Sequence, residues 1–131
     1  MSMRAPLAQV RGHGSAKSGA HHWWAQRLSA IALVPLFLWF VASLAAVATA
    51  DYATAVSWLG SPWNSGLLIL LIAAMFYHAQ LGMQVVFEDY ISTHWLQVTC
   101  IVLVRFLAML LAVVSIIAIL RTALGDRKSV V

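Results

Sequence analysis

The stretch "MFYHAQLGMQVVFEDY", residues 75–90, begins deep inside an apolar run and ends on two acids and a phenol. An imidazole can bind a metal or hold a hydrogen bond, a carboxylate can carry a proton, and a phenol can donate to a carbonyl. His78 stands eleven residues before Asp89. At 1.5 Å per residue that is about 16 Å of helix, close to half of a bilayer's hydrocarbon core of roughly 30 Å. An ionisable side chain at that depth is costly unless it faces other helices and has a partner there.

Two uses of His78 are open: a neutral imidazole ligating haem iron, or a neutral histidine hydrogen-bonded to a neighbouring helix. Gly82 lies one turn further on the same face, where a missing side chain would let a flat macrocycle approach the backbone; small residues serve plain helix packing as well. Arg27 opens the first apolar run after "HHWWAQ". Its fork could bind carboxylates such as haem propionates, or it could be a snorkelling, orientation-marking cation. Tyr90 fits a quinone headgroup or an interfacial aromatic belt, and Asp89 fits a proton relay or a helix end in water. Glu88 reads as a solvated helix end.

These side chains need elements to hold them, and composition dictates which. Apolar residues make up 63% of the 131, charged residues only 9%, and the mean hydropathy is +0.88. So little charge leaves an apolar outer surface that must meet lipid or protein. Three apolar runs, residues 28–50, 66–87 and 98–120, are each near the 20 or so residues a helix needs to span a bilayer. Helices are the form open to such spans, because lipid satisfies no backbone hydrogen bonds. The expectation is an all-α integral membrane protein with three transmembrane helices: a tail over residues 1–20, a membrane domain over 21–125 and a short tail over 126–131.

Lys and Arg lie outside both loops, four of them before or at the start of the first run, which places the N-terminus on the cytoplasmic side and the C-terminus opposite. This basicity is juxtamembrane, so it points to headgroups and not to nucleic acid. Cys100 is alone, which excludes an internal disulfide and a thiolate metal cluster. Pro35 should kink the first helix unless neighbours satisfy the freed carbonyl. "DYATAVSWLGSPWNS" reads as an interfacial loop between the first two spans, and "EDYISTHWLQ" as a short second loop carrying His94. Arg105, inside the third span, should pair with an acid, a propionate or another chain.

"HHWWAQRLSAIALVP" followed by "HAQLGMQVVFEDY" resembles the small D-type membrane anchor of succinate dehydrogenase, respiratory complex II, over residues 20 to about 121. The resemblance implies His78 as an axial ligand of haem b, Arg27 and His21 toward the haem propionates with His22 as an alternative to His21, Gly82 beside the haem, and Tyr90 with Asp89 at the ubiquinone site. It further implies a second cytochrome-b-type anchor, an iron–sulfur subunit and a flavoprotein subunit as partners in the inner membrane, with flavin and clusters held by those partners. An anchor of fumarate reductase or another quinone-linked cytochrome b, or a cofactor-free structural anchor, are the rivals. The chain has no dinucleotide fingerprint and no iron–sulfur cysteine set, so it is a subunit and not a whole enzyme.

Overall fold

The computed structural model describes residues 17–125, with side chains from residue 19. Four helices follow one another: α1, Lys17–Val47; α2, Tyr52–Gly60; α3, Pro62–Tyr90; and α4, His94–Gly125. Three are long and apolar enough to cross a membrane, Gly19–Val47 within α1, Pro62–Tyr90 and His94–Gly125. At 29 to 32 residues each is longer than the roughly 30 Å core requires, so the ends project into the headgroup layers or the helices tilt. Helix α1 starts four residues before the expected boundary at residue 21, and it continues through Pro35 without interruption.

The first connection differs from the loop expected there. Residues 52–60 form α2, a two-turn helix that stops at Ser61, where Pro62 begins α3. Proline suits that first position because the amide it lacks would have had no helical partner. Asn64 Nδ2 donates to the Trp58 carbonyl at 2.8 Å, and the rings of Trp39 and Trp58 stack at 6.0 Å, tying α2 to α3 and to α1. Ahead of α2, the Thr54 hydroxyl bonds the Asp51 carboxylate, which holds Asp51 below its ordinary carboxylate pKa. The second connection is shorter than expected, with only residues 91–93 between α3 and α4.

Helix α3 is the centre of the bundle. It packs against α1 on one side and α4 on the other; among the described residues α1 and α4 do not touch. The buried set among the described residues is accordingly small: Leu36, Leu68, Leu71, Leu81, Ala108 and Ala123 with the single polar member Ser29. Most large apolar side chains, such as Ile31, Leu38, Leu103 and Phe106, are exposed on the outer flanks, as lipid or a partner requires.

Candidate functional site

Antiparallel pairing of α1 and α3 sets the register of the site. Ser29 is twelve residues from the start of α1 at Lys17 and His78 is twelve from the end of α3 at Tyr90, so both lie about 18 Å from the same end of the bundle. The Ser29 hydroxyl oxygen is 2.9 Å from His78 Nδ1 and 3.0 Å from the backbone carbonyl of Gln26. Ser29 is only 8% exposed and His78 is half-buried. The mid-span histidine therefore does have a partner on a neighbouring helix, as its depth demanded.

One turn further along, the missing side chain of Gly82 faces Gln26. A Cβ built at Gly82 would meet Gln26 Nε2 at 3.5 Å, ordinary van der Waals contact. His22, Gln26 and Ser29 recur at the four- and three-residue spacing of one helical face. That face carries two buried polar atoms without a hydrogen bond, His22 Nε2 and Gln26 Oε1. A polar stripe thus runs along the α1–α3 contact toward His78.

The other candidates lie apart from this stripe. Arg27 is about 160° around α1 from Ser29, given 100° per residue. It is exposed, with its guanidinium 5.1 Å from the centre of the Trp23 ring, a cation–π contact along i, i+4. His21 is exposed, whereas His22 is half-buried. Asp89 and Tyr90 end α3, Tyr90 being 85% exposed, and His94 opens α4 at the same end of the bundle. Gln97 holds that corner: its Nε2 donates to the Glu88 carbonyl at 3.2 Å, one of the helix-end carbonyls that α3 itself leaves without a partner, and to the Phe87 carbonyl at 3.5 Å, which also accepts from the Ile91 backbone N–H at 3.1 Å.

Arg105 finds a neutral partner within the chain. Its guanidinium donates to Gln84 Oε1 at 3.0 Å, and Gln84 Nε2 in turn donates to Glu88 Oε1 at 2.8 Å. Cation and carboxylate are linked through one amide. Ser29, Gln26, Gln84 and Gln97 were not singled out from the sequence. The only signal they offered was that polar residues inside or beside apolar runs need partners.

Among the described residues no group of three histidine, cysteine, aspartate or glutamate side chains gathers as a metal site.

A family model described as "Succinate dehydrogenase/Fumarate reductase transmembrane subunit" matches residues 1–123. The chain belongs to this family. It is 40% identical over 116 residues to the succinate dehydrogenase hydrophobic membrane anchor subunit of Rickettsia bellii, covering 88% of this chain and 93% of the relative. The protein of the same description from Rickettsia conorii is 35% identical over 117 residues, with the same coverages. The succinate dehydrogenase membrane anchor subunit of Reclinomonas americana is 30% identical over 95 residues, covering 70% of this chain and 79% of the relative. As a transmembrane subunit of the succinate dehydrogenase/fumarate reductase family, with three spanning helices, it is a multi-pass membrane protein.

Proposed function

We propose that the chain is the small membrane anchor of a succinate dehydrogenase in the inner membrane, that it supplies one axial ligand to a haem b through His78, and that it contributes Tyr90 and Asp89 to a ubiquinone site. The observation that carries this reading is His78 itself, a half-buried imidazole near mid-span whose Nδ1 is engaged by Ser29 at 2.9 Å. A b-type haem at this position supplies a one-electron carrier between soluble iron–sulfur chemistry and the quinone.

The chain's own residues do the rest. With His78 Nδ1 on Ser29, Nε2 is the ring nitrogen that would hold the iron. Arg27, with His21 or His22, brings positive charge and donors to the membrane face where propionates would emerge. Tyr90 donates its phenol hydrogen to a quinone carbonyl at the interface, where an amphipathic headgroup lodges. Asp89, exposed beside it, passes protons from water to the reduced ring. The N-terminus lies on the cytoplasmic side, so the open end carrying Tyr90 faces the soluble iron–sulfur and flavoprotein subunits.

The family description covers fumarate reductase too, and the same residues would serve electron flow in the other direction. The named relatives favour succinate oxidation. The test is His78→Ala in the assembled complex: the b-type absorbance should fall to a small fraction of wild type while the protein still inserts. A full b-type spectrum in the variant would overturn the ligand assignment.

A further inference from the structure

Among the described residues Ser29 is the single polar member of the buried set, and its hydroxyl touches two groups at once. Gln26's backbone carbonyl, at 3.0 Å, can only accept. The hydroxyl has one hydrogen, so satisfying both contacts requires that it be donated to Gln26 and that the Ser29 oxygen accept from His78. The contact at 2.9 Å is then Nδ1–H donating to Ser29 Oγ. The opposite arrangement would spend the hydroxyl hydrogen on Nδ1, leave two oxygen lone pairs facing each other at 3.0 Å, and put the ring's hydrogen on Nε2. Only the first arrangement leaves Nε2 as a lone-pair donor.

Resting on the reading of His78 as the iron ligand, we infer that Ser29 is a positioning residue which locks His78 in the Nδ1–H tautomer and sets its strength as a ligand. A metal-bound histidine is oriented, and made more basic, by whatever accepts its second ring hydrogen. In a soluble site that acceptor is often a carboxylate; here it is a hydroxyl, itself polarised by the Gln26 carbonyl. The serine is held on α1 and the histidine on α3, so the ring plane is fixed by the packing of two helices and not by the rotamer of one. Bulk water cannot take the serine's place at this depth.

The experiment uses the assembled complex in native membranes with Ser29→Ala, Ser29→Thr and Ser29→Cys, and with His78→Ala as reference. Ser29→Ala should weaken haem retention about tenfold or more. The haem that remains should be easier to reduce, with a several-fold larger ferrous-to-ferric ratio at the wild-type midpoint, because a less basic imidazole stabilises ferric iron less. Its low-spin electron paramagnetic resonance g-values should shift. Ser29→Thr, which keeps the hydroxyl, should restore all three properties. Ser29→Cys, near in volume and a weak acceptor, should move the potential in the same direction as alanine, and it carries the test if the alanine variant does not assemble. Cysteine or alanine variants with wild-type potential and g-values, or a threonine variant as impaired as alanine, would reduce Ser29 to packing and overturn the inference. Those outcomes leave His78 as ligand intact; a full b-type spectrum in His78→Ala would remove the ligand assignment and this inference together.

Discussion

Gln97, in the first turn of α4, reaches back to the last turn of α3 and donates to the Glu88 carbonyl at 3.2 Å. That bond fixes the angle between two helices separated by only residues 91–93, and with it the direction in which Asp89 and Tyr90 leave the bundle. Gln97→Leu should cost about 1 kcal/mol, seen as a lower thermal midpoint of the complex. Ubiquinone reduction should fall more than succinate oxidation with an artificial acceptor. Equal losses in the two assays would separate the corner from the quinone site.

Tyr90→Phe removes one hydroxyl from a side chain that is 85% exposed and packs little. Stability and haem content should be unchanged. Loss of one neutral hydrogen bond, about 0.5–1.5 kcal/mol, should slow quinone turnover by roughly threefold to tenfold. Unaltered quinone kinetics would return Tyr90 to the aromatic belt.

Arg27→Ala should lower the haem midpoint potential and haem retention, because less positive charge near the propionates favours ferric over ferrous iron. Arg27→Lys should be milder, keeping the charge and losing the fork. A change to glutamine should weaken the 5.1 Å contact with Trp23 by about 0.5–1 kcal/mol without other effect if Arg27 only marks orientation. Redox titration distinguishes these outcomes, and running His21→Ala beside His22→Ala shows which ring shares the work.

The spans were legible in the sequence because bilayer thickness imposes a length on each apolar run, and residues 66–87 fall wholly inside α3. The boundaries were not, since a helix does not stop where the hydrocarbon stops. Helix α2 was missed because "YATAVSWLG" is too short to span and is followed by turn-forming residues, so the same string suits a loop or a two-turn helix. His78 was legible by depth. Ser29 was not: apolar residues surround each spanning helix on all sides, so no periodicity says which face of α1 meets α3. Arg105's partner was hidden for the same reason.

Gln84 accepts from Arg105 at 3.0 Å and donates to Glu88 at 2.8 Å. Gln84→Leu therefore breaks both contacts and should cost about 2–3 kcal/mol through an uncompensated guanidinium within a span. Glu88→Gln should cost less than about 1 kcal/mol because that pair is exposed. Thermal melts of the complex in one lipid would rank them, and the reverse ranking would make Glu88 the true counter-charge.

A six-coordinate haem between two histidines needs a second imidazole at the depth of His78. His21 and His22 lie in the first two turns of α1 and His94 opens α4, all at the bundle end that carries Tyr90 and well short of the depth of His78; Met75 and Met83 share α3 with His78 and cannot reach the opposite face of the ring, and Met109 is on α4, across α3 from the Ser29–His78 contact. The chain alone should bind haem poorly, and co-expression with a second cytochrome-b-type anchor should restore a low-spin spectrum. A low-spin b spectrum from this chain by itself would contradict that.

Helix α2 contacts all three long helices at one face of the bundle, while among the described residues the backbones of α1 and α4 do not come together. The α2 face thus ties all three spans together, whereas at the opposite face, which carries His21, Asp89, Tyr90 and His94, residues 91–93 and Gln97 tie α4 to α3 and leave the start of α1 joined to neither. How far the start of α1 stands from the start of α4 is therefore set only by its packing on α3. Spin labels on the first turns of α1 and α4 should report a separation that narrows in distribution on assembly, while a pair spanning α2 and the start of α3 should read the same before and after.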